Sequence, residues 1–237
     1  MDLTPEEQTV ADRANEFAQK ERKVIAARLT DPEIYLPEKK PVSVFMAGSP
    51  GAGKTEASED LLAHYGDRVL RIDPDELRAL LPGYEGHNAA LFQRAISTLV
   101  NRILDTAFKQ SQTFLLDGTL TSYPIAAANI KRSLRHGRFV QILYVYQEPR
   151  QAWEFVQARE ALDGRHVPPE QFIHQYFEAR NVVNGLKAEF GRSINVDLLI
   201  KNIDGTDRKY VDNINLIDGH VPEKYDERKL REILGIS

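Results

Sequence analysis

VFMAGSPGAGKTEA, residues 44–57, is the stretch on which the fold turns. Its core, Gly48-Ser49-Pro50-Gly51-Ala52-Gly53-Lys54-Thr55, fits the pattern G-x-x-x-x-G-K-[ST]. At average composition a chance match in a chain of this length is on the order of one in a hundred. Pro41 to Ala47 reads as a short apolar strand and Thr55 to His64 as a helix, the strand, loop, helix order that the pattern needs. In such a loop the glycines let successive backbone N–H groups turn towards an anion, and the positive end of the helix dipole favours negative charge at the same place. Residues 48–55 are therefore expected to cradle the phosphates of a nucleotide, with Lys54 reaching the β- and γ-phosphates and Thr55 holding Mg²⁺.

Working outward, residues 1–40 read as an N-terminal helical extension and linker. Thr4-Pro5-Glu6-Glu7 is an N-cap signal, and Val10, Ala11, Ala14, Phe17, Ala18, Val24, Ile25 and Leu29 mark an apolar stripe that predicts a helix over Pro5 to Leu29. A loop from Thr30 to Lys40 leads to the first strand. Downstream, strands over Arg68–Ile72, Thr113–Leu116 and Phe139–Tyr146 alternate with helices in Pro74–Leu81, His87–Gln110 and Pro124–Arg135. Helices over Pro149–Leu162 and Pro169–Phe190 flank the polar turn Asp163–Pro168. The tail predicts strands Asn195–Lys201 and Lys209–Leu216 around Asp204-Gly205, then a helix from Glu223 to Leu234. The alternation predicts an α/β, P-loop kinase-type three-layer fold over residues 41–237: a mainly parallel sheet with helices on both faces and a helical lid around residues 159–169.

Composition narrows the function. The 237 residues, 42% hydrophobic, suffice for a buried core, and a net charge of −4 argues against a broad nucleic-acid or membrane surface. With no cysteine there is neither a disulfide nor a Cys-ligated zinc, the first residues lack the pattern of a signal peptide, and no apolar run spans a bilayer. A cytoplasmic protein is expected.

A phosphate loop alone does not separate an ATPase, a GTPase and a small-molecule kinase, so second sites must decide. Asp73 and Asp75 follow the second strand, where loops line the ligand crevice of open α/β folds. Asp75 is a candidate general base for an attacking hydroxyl, and capping of the next helix is the alternative for both acids. Phe114-Leu-Leu-Asp117-Gly118-Thr119 delivers an acid at the end of an apolar strand: Asp117 is placed to order Mg²⁺ through its water shell, and Thr119 to bond substrate or phosphate, unless the pair is only a turn. Arg159 and Arg165 lie in a helical hinge from which rigid guanidinium donors can reach a transferring phosphoryl group, although exposed arginines also serve as plain surface charge. The six histidines show no tight ligand spacing and no N-K-x-D run is present, so the only metal expected is nucleotide-linked Mg²⁺.

Taken together, GSPGAGKT, IDPDELR, LLDGTL and the arginines of QAREALDGRHVP resemble the zeta-toxin family of P-loop kinases over roughly Val42 to Phe190. The resemblance implies roles for Lys54, Asp75, Asp117, Arg159 and Arg165 around the reaction, with ATP or GTP and Mg²⁺ as cofactors. It also implies a UDP-N-acetylglucosamine-like acceptor, and control by an antitoxin protein or by the N-terminal helix acting in cis. The chain departs from the family pattern in Leu77-Arg-Ala-Leu-Leu-Pro82, which lacks the familiar histidine, and in lid arginines only six residues apart. Both departures bear on the acceptor more than on the donor. Another small-molecule hydroxyl (of a nucleoside, an antibiotic or a dinucleotide) and a non-catalytic nucleotide-dependent switch are the alternatives.

Overall fold

The computed structural model describes residues 3–65, 68–202, 208–222 and 224–236. Helix α1 (Pro5–Leu29) starts on a reciprocal cap, in which the Glu7 N–H donates to Thr4 Oγ1 at 3.2 Å and the Thr4 N–H donates to Glu7 Oε2 at 2.8 Å. Its buried face is Ala11, Ala14, Ala18, Ile25 and Ala26, whereas Val24, expected in the stripe, is 65% exposed. Small side chains on that face allow a close approach to α4 (Gln93–Lys109), the helix against which α1 mainly packs. Ala14, Ala18, Ile25 and Ala26 belong to the same core as the central sheet. The α1 helix is thus built into the main core.

Six strands form one sheet in the order β2-β3-β1-β4-β5-β6. β1 (Val42–Ala47) runs parallel to β3 (Phe114–Leu116) and β4 (Phe139–Tyr146), with Val44 opposite Leu115 and Gln141. β2 (Leu70–Ile72) and β5 (Asn195–Lys201) extend the parallel array on either side, and β6 (Arg208–Val211) closes it antiparallel to β5. Alternate residues of β1 point to opposite faces: Phe45 and Ala47 enter the larger core, and Val44 and Met46 enter a smaller one with Ala57. Both faces are covered, which explains why this strand reads as a continuous apolar run. The remaining helices are α2 (Lys54–Tyr65), α3 (Pro74–Arg78), α5 (Tyr123–Arg135), α6 (Pro149–Asp163), α7 (Pro169–Phe190) and α8 (Glu227–Leu234).

Several boundaries depart from the sequence expectation for identifiable reasons. α3 ends at Arg78 rather than Leu81, shortly before Pro82-Gly83 turns the chain. The helix expected from His87 begins as a 3-10 turn, Ala89–Phe92, and becomes α-helical at Gln93. β6 stops at Val211 instead of Leu216, because Asn213 takes a left-handed φ of 46° and gives its N–H to Asp197 Oδ1 at 2.8 Å. α8 starts at Glu227, since Asp226 is its cap, accepting from the Lys229 N–H at 2.7 Å. The turn expected at Asp204-Gly205, and Glu223, lie outside the described residues. Among the described residues no helix is long and apolar enough to cross a membrane.

Candidate active site

The site gathers at the C-terminal ends of the parallel strands. Residues 48–53 leave β1, fold over its end and hand the chain to α2 at Lys54. Gly51 has φ +71°, and a Cβ there would stand 2.0 Å from the carbonyl oxygen of Ala152 in α6. Only glycine lets the loop pass this close to α6. Lys54 turns back over the loop, its Nζ donating to the carbonyls of Ser49 at 2.7 Å and Gly48 at 3.1 Å. Burial lowers its pKa to about 8, against the opposing pull of Asp117 and Asp75. Thr55 is exposed at the helix start.

Two acidic elements face the loop. Asp73 is the N-cap of α3: its Oδ1 accepts from the Asp75 N–H at 2.7 Å. Burial raises its pKa, and the neighbouring Asp117 and Asp75 add to the rise. Because Asp73 takes the capping position, Asp75 sits one turn position further in with its carboxylate free of that task. Arg78 donates to Asp75 Oδ1, and Arg165 donates to Oδ2 at 2.7 Å. The alternative of two capping acids therefore holds for Asp73 alone.

Asp117, buried at the end of β3, accepts from Arg71 at 3.0 Å and from Ser58 Oγ at 3.5 Å. The same guanidinium reaches Asp73 at 2.7 Å and Glu76 at 2.6 Å, so Arg71 bridges the two acidic elements. Thr119 touches the phosphate loop through its carbonyl, which accepts from the Gly48 N–H at 3.4 Å, while its hydroxyl lies 3.3 Å from that of Thr121. A cavity of about 190 Å³ opens beside Arg71 and Asp73 and is lined on its other side by Arg28 and Leu29 of α1.

The segment expected as a lid, residues 159–169, comprises the end of α6, the turn after it and the first residue of α7. Gly164, left-handed at φ 73°, caps α6, and Pro169 is the first residue of α7. Glu160 and His166 bond across the turn at 2.7 Å, and Arg165 between them extends to Asp75. Arg159 is exposed on α6, close enough to Lys54 for its charge to depress the ammonium's pKa further. The structure thus assembles Lys54, Asp75, Asp117, Arg159 and Arg165 into one charged cluster, and leaves the Thr119 hydroxyl on its own loop. Arg71, Ser58 and Arg78 belong to the cluster without having been singled out in the sequence. A charged residue inside the apolar run Val69-Leu-Arg-Ile72 is the signal that Arg71 needed buried counter-ions.

A nucleotide-borne magnesium would have to share Asp117 with Arg71 and Ser58, which occupy its Oδ2 here. Thr55 and Asp117 would hold it, and among the described residues no group of three His, Cys, Asp or Glu side chains makes a metal cage of its own.

The overall fold is similar to a structure from the PezAT chromosomal toxin-antitoxin system of Streptococcus pneumoniae, with a TM-score of 0.63 and 16% identity over 99% of this chain and 93% of that one. It is also similar to the AvrRxo1-ORF1:AvrRxo1-ORF2 complex with sulphate ions, with a TM-score of 0.57 and 16% identity over 88% of this chain and 67% of that one. The same complex with ATP matches at a TM-score of 0.57 and 15% identity, over the same shares. No curated protein matches the chain in sequence. The family model described as Zeta toxin matches residues 25–215, from the last turns of α1 to beyond β6 and so across every element of the site, and the chain belongs to the zeta toxin family.

Proposed function

We propose that the protein is a P-loop phosphotransferase that moves the γ-phosphoryl group of ATP or GTP to a hydroxyl of a UDP-linked amino sugar, and that it acts as a zeta-type toxin. The observation that carries this reading is the 2.7 Å ion pair between Asp75 and Arg165. The Asp75 carboxylate of that pair also acts on Lys54 through space, a position from which it would take a hydroxyl proton beside the loop lysine. Family membership supports the reaction class, and the ATP in one AvrRxo1 complex supports ATP as donor.

A bound nucleotide would supply the phosphoryl group, and a magnesium ion held by Thr55 and Asp117 would supply charge screening on the phosphates. The chain's own groups do the rest. Lys54 neutralises the terminal phosphates, and Arg159 and Arg165 stabilise charge as it spreads over the moving group. Asp75 takes the proton of the acceptor hydroxyl, and Arg78, half of the pair on its other oxygen, fixes the carboxylate's orientation. Arg165 must leave Oδ2 before that oxygen can work. An antitoxin protein as inhibitory partner is supported by the toxin-antitoxin origin of the similar fold.

The test is to incubate the protein with ATP and Mg²⁺ together with UDP-N-acetylglucosamine or, separately, a metabolite extract, and to look for the species that gains one phosphate mass. Gain on UDP-N-acetylglucosamine supports the whole reading. Gain only on another metabolite moves the acceptor, and ATP binding without any transfer leaves a switch in place of an enzyme.

A further inference from the structure

Lys201 ends β5 and lies across the phosphate loop from the side opposite the acids. Its Nζ, Cε and Cδ are the three nearest heavy atoms to a Cβ built on Gly53, at 2.3, 2.9 and 3.0 Å. The φ of +77° is what calls for glycine at this position, and the contact shows how closely the end of the lysine rests on the loop. The Lys201 side chain is only 9% exposed, yet its ammonium pairs with Glu56, whose side chain is 71% exposed. Glu56 directly follows Thr55 in the first turn of α2.

Positive groups gather at this place. The N-terminus of α2 already carries the positive end of the helix dipole and its unpaired N–H groups. Lys54 adds a second charge there. A largely buried ammonium on the same backbone raises the local positive potential, and one solvent-exposed carboxylate offsets it weakly. The two lysines also divide the loop between them. Lys54 bonds to Gly48 and Ser49 at the entry, whereas Lys201 sits on Gly53 and pairs with Glu56 at the exit.

We propose that Lys201 is a further nucleotide-binding residue, held at the exit of the phosphate loop by Glu56, where its ammonium contacts the phosphate nearest the ribose. The inference rests on the nucleotide-binding reading of the loop. It assigns β5 a role in recognition that the loop motif does not contain, and it makes Glu56 a positioning residue that keeps the ammonium at the exit.

Titration calorimetry with ATP, ADP and AMP on the full chain tests it. Lys201→Met is expected to weaken all three by a similar factor, about 10- to 100-fold for a lost charge-assisted contact, because all three share that phosphate. Lys54→Met, by contrast, is expected to weaken ATP and ADP far more than AMP. Lys201→Arg should recover most of the affinity, and Glu56→Gln should lose less than Lys201→Met while showing the same indifference to the number of phosphates. Lys201→Arg and Glu56→Gln also carry the test if Lys201→Met does not fold. Wild-type affinity for all three nucleotides in Lys201→Met, or in Glu56→Gln together with a loss confined to ATP in Lys201→Arg, overturns the inference and leaves the kinase reading standing. Failure of the wild-type protein to bind any of the three overturns both.

Discussion

Asp75→Asn separates the two jobs that its carboxylate performs in this structure. The substitution keeps the side chain's size and removes the charge that holds Arg78 and Arg165. Asp75 is 40% exposed, with Arg78 and Arg165 at 16% and 32%, so these are partly solvated pairs. Each contributes at most about 1 kcal/mol to folding. Their joint loss then costs about 1–2 kcal/mol, a fall in Tm of no more than about 8 °C for a chain of this size. Transfer to the acceptor should fall by at least ~10²-fold, the scale of a lost general base. ATP affinity should hold or tighten, because Arg165 is released from the carboxylate and becomes available to a phosphate. Differential scanning calorimetry, ATP titration and the phosphate-transfer assay on one preparation read all three quantities. A variant that transfers phosphate at a near wild-type rate removes Asp75 from the chemistry. A variant that loses activity only because it no longer binds ATP refutes the division of labour between Asp75 and Lys54.

Arg165→Ala should lower kcat by roughly 10²-fold or more with little change in nucleotide affinity, and Lys at this position should rescue poorly for want of a planar fork, as steady-state kinetics would show. Lys54 binds phosphate as an ammonium, and its pKa stands near 8 in the folded protein, so nucleotide affinity measured by titration should decline as pH rises through about 8. The same shift sets a stability trend: between about pH 8 and the ordinary lysine value of 10.5, the unfolded chain keeps a proton that the folded one has released, so stability gains with pH in that window. Lys54→Met should remove that gain from the Tm-versus-pH curve. Deleting residues 1–38 should yield an insoluble or strongly destabilised protein rather than a more active one, because it strips the face of α4 that Ala14, Ala18, Ile25 and Ala26 cover; a soluble, cooperatively unfolding product would point to a regulatory helix instead.

The loop at residues 48–55 could be read as a phosphate cradle because that chemistry calls for eight contiguous residues, and contiguity is what a sequence displays. Asp75, Asp117 and the lid arginines could be picked out because each stands just after a strand or in a hinge, where side chains face a crevice. Their roles were less legible. Whether Asp75 capped α3 depended on whether Asp73 reached the Asp75 N–H first, a question of backbone geometry at one residue. Arg71 and Lys201 remained hidden for a different reason, since each meets a partner brought in by a distant element: Asp117 lies 46 positions from Arg71, and Glu56 lies 145 positions from Lys201. Arg78 meets Asp75 within one turn of the same helix, a pair that the i, i+3 spacing displays. The α1 helix was visible as an amphipathic pattern, but its place in the core was not, since an alanine face specifies a close neighbour without saying which one.

The grip of Arg165 on Asp75 has a kinetic meaning for the proposed transfer. One carboxylate oxygen is both the anchor of the lid and the atom that must receive the acceptor's proton, so the two uses exclude each other. A phosphate-bearing donor is the partner best able to draw the guanidinium away. The two substrates should therefore engage in a compulsory order, donor first, with the acceptor seeing a competent base only on the donor complex. Initial-rate patterns would be sequential, with the nucleoside diphosphate product competing with the donor for the free protein and not competing with the acceptor. Without a donor the carboxylate stays neutralised by two guanidinium groups, and with Arg165 drawn to the donor only Arg78 would remain on it, so the base would be freed in the one complex from which transfer can take place.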